Sequence, residues 1–378
     1  MDLERWIQRT LTVQAIPAPT FGEAERARYL MTEFRSAGVQ EVELNPLGNL
    51  YARVPGNNRL PLVVSAHLDS VFSPGTDLTH RRSRTRLTGP GIGDNAVALA
   101  ALVELALDLR DPRPPGDIWL VANVCEEGLG NLRGMIEVVE RFGKSVAAYL
   151  VLEGMALGHI YHRALPVRRY RLEARARGGH AWIHWERPSA LHKLLRLGEQ
   201  LLQIPLPREP RTTLNIGTMS GGRSINTIAD EASLDLDLRS ESDRTLEQLE
   251  ARILETISRN EDESVAIRLD LVGSRPGGEL KPDHPLVLAA SESLRRNGER
   301  DRILEAGSTD ASVPLNRGLP GICVGLTKGG EAHTLHEYIE IRPMRRGYLS
   351  LVRLIESAFL LDGREQSPRP RPHFQTGD

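Results

Sequence analysis

Four short apolar segments constrain the fold of this chain more than any other feature of its sequence. They are residues 61–66 (PLVVSA), 118–125 (IWLVANVC), 147–152 (AAYLVL) and 320–326 (PGICVGL). Continuous apolar runs of this length are typical of strands buried on both faces, as in the parallel sheets of α/β proteins. Residues 95–110 form a longer apolar segment without glycine or proline, which predicts a helix. We therefore predict an α/β fold with a central sheet.

A different pattern occupies residues 168–272. Strands are predicted at 168–177, 212–219, 231–240 and 265–273, and helices at 189–202 and 245–258. The resulting order, βαββαβ, is that of a self-sufficient ferredoxin-like unit. Apolar and polar residues alternate in its strands, so we expect one face of its sheet to contact solvent.

The domain organisation follows from these two patterns. We predict a catalytic domain in two parts, residues 1–165 and 275–363, with an inserted unit at residues 166–274. The segment 364–378 is rich in proline and arginine, which predicts a disordered tail. Near the N-terminus, a helix is predicted at residues 2–14. Thr20 and Glu23 form a possible capping box for a second helix, which Gly38 would end.

Charge and composition exclude several classes of function. The formal net charge is -2, which gives no signature of nucleic-acid or acidic-membrane binding. No apolar stretch approaches the length of a membrane span, and the charged N-terminal segment lacks the apolar core of a secretion signal. The two cysteines, Cys125 and Cys323, lie within apolar runs and are too few for a disulfide framework. We therefore expect a cytoplasmic protein.

Polar residues with metal-binding side chains recur just after the apolar strands. His67 and Asp69 follow the first strand, Glu126 and Glu127 the second, and Glu153 the third. Two more candidates are His336, which lies beyond the fourth strand, and Asp94, which opens the helix at 95–110 after the glycine-rich GPGIG. Open α/β sheets bind their ligands at the carboxyl ends of their strands, so these side chains are expected to converge.

The residue types at these positions suit zinc, because imidazole and carboxylate are common ligands of this ion. Five candidate ligands are too many for one catalytic zinc but enough for two ions if one carboxylate bridges them. His67 and Glu153 would hold one ion with the bridge, and Glu127 and His336 the other. Three carboxylates facing two divalent cations leave about one positive charge, which favours a bridging hydroxide.

Two further acidic residues have separate roles in this scheme. Asp69 lies two residues after His67 and can accept the second ring N–H of that imidazole, which would fix its orientation. Glu126 is adjacent to Glu127 but would point elsewhere, so it is the candidate general base. It would take a proton from the bridging water and pass it to the leaving nitrogen. Ser308, Thr309 and Asp310 are further candidates for lining the site.

These motifs resemble those of the co-catalytic zinc aminoacylases, carboxypeptidases, peptidase T-type aminopeptidases and acetylornithine or succinyl-diaminopimelate deacylases. The matching segments are SAHLDSV, GPGIGDN, VCEEGLG, VLEG and HTLHEYI, and the resemblance covers roughly residues 5–360. It implies a mixed-sheet, zinc-exopeptidase-like catalytic domain with Asp94 as the bridge and Glu126 as the base. It also implies two divalent metal ions, for which cobalt or manganese are alternatives to zinc.

The resemblance extends to the inserted unit, which it identifies as a dimerisation domain. ARGGHAW resembles the segment whose histidine contacts the oxyanion of the scissile amide, often from the partner subunit, and that histidine would be His180. The segment SGGRSINTIADEASLDLDLRS resembles the one whose asparagine and arginine hold the substrate, here Asn226 and Arg239. A homodimer is therefore expected.

Taken together, the sequence predicts a two-metal hydrolase that cleaves an amide bond in a short peptide or an N-acyl amino acid. Exopeptidases and N-deacylases share every metal ligand, so the motifs do not separate them. Glu153 favours deacylation weakly, because carboxypeptidase- and dipeptidase-like relatives usually have aspartate there. The sequence Asp94-Asn95-Ala96 departs from the Asp-Asp or Asp-Met-Lys of many members and leaves the subfamily open. A non-catalytic binding or scaffold protein on the same fold is the alternative, although no ligand or base is missing.

Overall fold

The computed structural model describes residues 1–260 and 263–361. The predicted tail at residues 364–378 therefore lies outside the described residues. Strands are β1 Glu41–Leu44, β2 Leu50–Val54, β3 Arg59–His67, β4 Arg81–Arg82, β5 Arg86–Thr88, β6 Gly116–Asn123, β7 Ala148–Glu153, β8 His159–Ala164, β9 Val167–Arg175, β10 Gly179–His180, β11 Thr212–Gly221, β12 Thr227–Ile228, β13 Glu231–Ser240, β14 Ala266–Arg275, β15 Gly278–Glu279, β16 Ile303–Gly307, β17 Gly321–Gly325, β18 Gly329–Gly330 and β19 Tyr338–Glu340. Helices are α1 Leu3–Ala15, α2 Ala24–Ser36, α3 Val97–Asp108, α4 Arg133–Phe142, α5 Ala190–Leu202, α6 Asp243–Arg259, α7 Pro285–Arg296, α8 Ser312–Asn316 and α9 Ile341–Ala358.

The four apolar segments form the centre of a mixed sheet, as predicted. Its strand order is β1-β2-β6-β3-β7-β17-β8-β15, with β16 paired to β8. Neighbouring strands among β6, β3, β7 and β17 run parallel, whereas β2 and β8 join this group antiparallel on either side. The carboxyl ends of four adjacent strands therefore lie at one edge of the sheet.

Alternate residues of the central strands supply two separate cores. Leu62 and Val64 of β3 pack into a cluster with α1, α2, α3, α7 and α9, whereas Val63 packs into a cluster with α4 and α8. Helices thus cover both faces of the sheet, which explains why its strands are apolar throughout. None of the helices in the described ranges is both long and apolar enough to cross a lipid bilayer.

A second, four-stranded antiparallel sheet has the order β11-β13-β9-β14 and carries α5 and α6 on one face. Its apolar face and these two helices form a third core, made of residues between 170 and 269. The other face carries charged residues such as Arg169, Arg171, Asp235 and Asp237. This arrangement is the predicted βαββαβ unit with one apolar and one polar face. We retain residues 166–274 as its proposed boundaries.

The predicted capping box at the start of α2 is wrong. The Thr20 hydroxyl donates to Asp69 Oδ2 at 2.9 Å, and Glu23 Oε1 accepts the main-chain N–H groups of Phe21 and Cys125. Both side chains therefore connect the start of α2 to loops at the sheet edge rather than capping the helix. Tertiary hydrogen bonds override the local motif here. The helix ends at Ser36, and Gly38 follows with a φ of 84°.

Candidate metal centre and catalytic cavity

The ends of β6, β3 and β7 bring the predicted polar residues together. His67 is the last residue of β3, Glu153 is the last residue of β7, and Glu126 and Glu127 follow β6 after two residues. Because β3 pairs with β6 on one side and β7 on the other, His67 lies between the two acidic groups. The parallel direction of these strands places all four side chains at one edge of the sheet.

Asp94 reaches the same edge from the loop before α3. A Cβ atom at Gly154, just after β7, would lie 2.0 Å from the Gly93 carbonyl oxygen, so only glycine permits the loop to approach the strand end this closely. Asp94 Oδ1 lies 2.9 Å from His67 Nε2, and Glu153 Oε1 lies 3.9 Å from the same nitrogen. His67, Asp94 and Glu153 thus form one group of donors.

The second carboxylate oxygen of Asp94 faces a second group. Its Oδ2 atom lies 3.1 Å from His333 Nε2, and Glu127 Oε1 lies 3.4 Å from that nitrogen. Asp94 therefore stands between an imidazole–carboxylate pair on each side, which is the arrangement expected for a bridging ligand.

The predicted ligand His336 does not take part in this cluster, and we replace it with His333. Both histidines are exposed, but the His333 imidazole lies against Asp94 and Glu127, whereas the His336 main-chain N–H donates to the Thr334 hydroxyl. The two histidines lie in one loop between β18 and β19, and the turn at Glu331–Thr334 determines which of them faces the sheet edge. The segment AHTLHEY contains both, so a local motif does not distinguish them.

The chemistry of this donor set fits divalent metal ions. His67, Asp94 and Glu127 each offer one ligand atom, and these three atoms lie within 4.8 Å of one another. Burial raises the pKa of Glu153 well above its usual range, with Asp94 adding to the effect. Burial also disfavours the charged form of Asp94, yet hydrogen bonds from His333 and His67 lower its pKa. Carboxylates crowded in this way share protons with imidazoles unless cations compensate their charge.

Asp69 supports the site in a broader way than predicted. His67 Nδ1 lies 3.0 Å from the Asp69 main-chain oxygen and 3.5 Å from Asp69 Oδ1. The carboxylate also accepts the main-chain N–H groups of Glu126 and Glu127, each at 2.9 Å. Asp69 therefore orients the imidazole and also holds the segment that carries the candidate base.

Glu126 is buried and paired with an arginine that the sequence analysis did not single out. Arg275, at the end of β14, donates from Nη1 to Glu126 Oε1 at 2.9 Å and from Nη2 to the Glu126 main-chain oxygen. Burial raises the pKa of Glu126 to about 8, although Arg275 opposes the shift. Burial therefore disfavours the charged form of Glu126, whereas its ion pair with Arg275 favours it.

Glu337 is a second residue that sequence reasoning missed. Its buried carboxylate accepts the main-chain N–H groups of Gly91, Gly93 and Asp94 at 3.3, 2.7 and 2.9 Å. Burial, with Asp94 nearby, raises its pKa to about 7. Glu337 thus fixes the loop that presents Asp94. In the sequence, Glu337 is marked by its position directly after His336. That position does not predict a contact with the loop that carries Asp94.

Both groups of donors, together with Glu126 and Arg275, line a cavity of about 530 Å³. Its wall includes Ser308 and Thr309, as expected, whereas Asp310 is buried behind it and accepts Asn123 Nδ2 at 2.7 Å. The full lining is His67, Val71, Asp94, Glu126, Glu127, Gly128, Glu153, Met155, Ala156, His159, Tyr161, Arg169, Arg239, Arg275, Ser308, Thr309 and His333.

The residues predicted in the inserted unit divide into two groups. Arg239 lines the cavity, whereas His180 and Asn226 do not. His180 lies in β10 and Asn226 directly precedes β12, and both are exposed; Ala181 N–H donates to the Asn226 main-chain oxygen at 2.9 Å. Within one chain, therefore, His180 and Asn226 are separate from the metal-binding cluster.

The chain combines a mixed sheet covered by helices with an inserted βαββαβ unit. At the strand ends a carboxylate lies between two imidazoles. These features define a class of α/β proteins with a candidate metal site at the edge of the sheet. Within this class the chain belongs to Peptidase family M20/M25/M40, whose model matches residues 63–357. The predicted family is thereby confirmed.

The chain is similar to several known proteins. A probable carboxypeptidase from Trichophyton verrucosum is 29% identical over 221 residues, which make up 52% of this chain and 47% of that protein. The matched part thus spans about half the length of this relative. A tripeptidase structure from Staphylococcus aureus has a TM-score of 0.78 at 20% identity, covering 95% of this chain and 99% of that one. A metallo-carboxypeptidase structure from Sulfolobus solfataricus has a TM-score of 0.78 at 14% identity, covering 95% and 100%. These likenesses confirm the fold.

Proposed function

We propose that this chain is a metal-dependent hydrolase that cleaves an amide bond in a short peptide or an N-acyl amino acid. The observation that carries this proposal is the position of Asp94, whose two oxygens face His67 and His333 within hydrogen-bonding distance. A buried carboxylate, Glu126, lines the same cavity and is suited to proton transfer. Membership of a peptidase family supports the same reaction.

Two divalent ions would be held by five side chains. His67 and Glu153 would bind one ion, Glu127 and His333 the other, and Asp94 both. Zinc suits this mixture of imidazole and carboxylate, with cobalt or manganese as alternatives. When bound, the ions would polarise the scissile carbonyl and lower the pKa of the attacking water.

The chain's own residues would move the proton and orient the groups. Glu126 would accept a proton from the attacking water and deliver it to the leaving nitrogen from its position in the cavity wall. Arg275 and Asp69 hold this carboxylate and its main chain in place. A fixed base reduces the reorganisation needed in the transition state.

The inserted unit would complete the substrate site. We assign Arg239 to substrate binding at the cavity wall, and we propose that His180 and Asn226 reach a cavity from a partner subunit. Exposed apolar side chains beside them support a homodimer formed through residues 166–274, since such clusters mark interaction surfaces. The buried free thiols of Cys125 and Cys323 suit the reducing cytoplasm, where we expect the protein to act.

A substrate panel tests the function directly. Dipeptides, tripeptides and N-acyl amino acids would be incubated with enzyme loaded with Zn²⁺, Co²⁺ or Mn²⁺, and released amino acids would be quantified. We expect turnover of at least one class, and Glu126→Gln should bind metal normally but lose turnover by at least ~10²-fold. Turnover in the Glu126→Gln control at the wild-type rate would exclude Glu126 as the base. Wild-type enzyme that binds two metal ions yet hydrolyses no member of the panel would contradict the proposed function.

A further inference from the structure

Three side chains at the start of α2 reach the strand ends that carry the candidate metal ligands. Thr20, Glu23 and Arg26 follow one another at intervals of three residues. Glu23 and Arg26 are buried, although charged side chains of these types are rarely buried without a partner. The contacts of all three are with the segments around His67 and before Glu126, not with the rest of the helix.

Arg26 is held against the segment that carries His67. Its Nη1 atom donates to the main-chain oxygen of Leu68 and its Nη2 atom to that of Ile16, each at 2.7 Å. Leu68 lies between the candidate ligand His67 and Asp69, which orients that imidazole. The guanidinium group therefore fixes the carbonyl group at the centre of this segment.

The position of Arg26 is unfavourable for α2 itself. A cation in the first turn of a helix opposes the helix dipole, and burial removes the guanidinium group from water. Burial lowers the pKa of Arg26 to about 10, while the charges of Asp69 and Glu23 act in the opposite direction. These two carboxylates therefore compensate the buried cation, and their attraction ties the helix to the metal centre.

Glu23 fixes the turn from which the base and one candidate ligand extend. Its Oε1 atom accepts the main-chain N–H of Cys125 at 3.1 Å, directly before Glu126 and Glu127. Cys125 has a φ of 60°, in the left-handed region that residues with a side chain rarely adopt. A buried carboxylate that binds the N–H of this residue stabilises the turn, and the turn determines where the next two side chains point.

Thr20 completes the hydrogen bonds of Asp69. Its hydroxyl donates to Asp69 Oδ2 at 2.9 Å, and the same oxygen accepts the Glu127 N–H. The other oxygen, Oδ1, accepts the Glu126 N–H and lies 3.5 Å from His67 Nδ1. Each carboxylate oxygen thus has two partners, so rotation of the carboxylate would break at least one hydrogen bond.

We propose that Thr20, Glu23 and Arg26 are positioning residues of the metal centre, and that Arg26 has the largest effect. None of these three residues lines the cavity, so they act through the groups that do. Arg26 and Thr20 hold the segment of His67, and Glu23 holds the segment that carries the base. This inference rests on the proposed function, because it concerns the metal centre on which that function depends.

Metal binding tests the role of Arg26 without relying on turnover. Arg26→Met removes both hydrogen bonds and the charge, and it should lower the affinity for Zn²⁺ about 10- to 100-fold, the usual effect of losing a group that orients a metal ligand. Arg26→Lys keeps the charge and one donor and should restore part of this loss. Arg28→Met is the matched control, because Arg28 lies two residues further along α2 and is exposed. Competition with a chromophoric chelator would measure all four affinities, and the control should equal the wild-type protein.

Cobalt reports on the arrangement of the ligands themselves, because the absorption of this ion depends on its coordination geometry. The visible spectrum of bound Co²⁺ should change in Arg26→Met, return towards that of the wild-type protein in Arg26→Lys and stay the same in Arg28→Met. A loss of stability alone would lower the melting temperature and leave the spectrum of the folded protein unaltered. Thr20→Val removes one hydrogen bond to Asp69 and should lower zinc affinity less than Arg26→Met does.

The possible results separate this inference from the function on which it rests. If the wild-type protein binds neither metal, both fail. If it binds both metals but hydrolyses no amide, the proposed function fails, whereas reduced affinity and a changed spectrum in Arg26→Met would still support the positioning role. Wild-type affinity and an unchanged spectrum in Arg26→Met would overturn that role and leave hydrolysis intact. If Arg26→Met does not fold, Arg26→Lys decides, since intermediate affinity with a changed spectrum supports the role and values equal to those of Arg28→Met contradict it.

Discussion

Asp94 is the residue on which both halves of the proposed metal centre depend. Each of its carboxylate oxygens lies about one hydrogen-bond length from a different imidazole, that of His67 or that of His333. One further carboxylate accompanies each imidazole. Removing a group from one half should therefore affect one ion more than the other, and this makes the two halves separable by experiment.

Substitution of the two nearby histidines tests the assignment of the second half. We expect His333→Ala to bind about one equivalent of zinc where the wild-type protein binds two, because Glu127 and Asp94 alone leave that ion with too few ligands. His336→Ala is the matched control in the same loop and should retain both ions. Metal content would be measured by elemental analysis after dialysis. The opposite pattern, with loss in His336→Ala alone, would restore the sequence-based assignment.

Candidate ligands at strand ends lie where the sequence predicts them, whereas the loop residue His336 does not face the cluster. His67 and Glu153 terminate apolar strands, so the strand pattern alone gives their location. His333 and His336 lie in a loop whose direction depends on contacts with β5 and the Asp94 loop. Short-range sequence patterns contain no information on those contacts, which explains the error.

At the scale of elements, the loop from Gly91 to Asp94 is held by a carboxylate from a distant segment. Glu337 directly precedes β19. The three main-chain N–H groups that donate to its carboxylate belong to residues 243 to 246 positions earlier in the sequence. The bonds replace the partners that these N–H groups would otherwise have found in water. Glu337 therefore acts on the metal centre through the position of Asp94.

Removing this carboxylate should loosen the Asp94 loop without removing a metal ligand. We expect Glu337→Ala to lower zinc affinity at least about tenfold and to destabilise the fold by about 1–3 kcal/mol, the cost of unsatisfied buried donors. Glu337→Gln retains one acceptor oxygen and should show a smaller effect. Glu340→Ala is the control. This residue of β19 is half-exposed, and its carboxylate forms a long ion pair of 3.8 Å with Arg86. Competition with a chromophoric chelator and thermal melting measure the two quantities, and unchanged zinc affinity in Glu337→Ala would contradict the role.

Elements with a clear period were predictable, whereas the connections between them were not. Strands β9, β11, β13 and β14 begin and end within two residues of their predicted positions because side chains alternate along them. The Thr20–Glu23 motif, in contrast, has the spacing of a capping box but bonds to Asp69 and Cys125. Contacts between residues far apart in the sequence leave no local pattern. Arg275 was missed for this reason, because its partner Glu126 lies 149 residues away.

For the whole molecule, the central question is how His180 could act on a cavity that it does not line. It lies on an exposed ribbon beside large apolar side chains that contact water in the single chain. Trp182, Ile183 and Trp185 are 85, 67 and 73% exposed, and Ile225 is fully exposed. Burying such a cluster against a second copy would remove a substantial apolar area from water. A homodimer through the inserted unit would therefore explain both the apolar surface and the distance of His180 from the cavity.

Mixing two inactive variants tests this arrangement. His180 would donate to the oxyanion of the tetrahedral intermediate, and such a donor contributes about 10²–10³ in rate, so His180→Ala should lose kcat on that scale while keeping its metal and fold. Glu126→Gln should also be inactive. If His180 acts across the interface, each mixed dimer contains one cavity with both wild-type residues, and mixing should restore part of the activity. His184→Ala is the control, because His184 bonds to the His180 main chain from the same exposed segment and should remain active. Proven subunit exchange without recovered activity would exclude action across the interface, and full activity of His180→Ala would exclude its catalytic role.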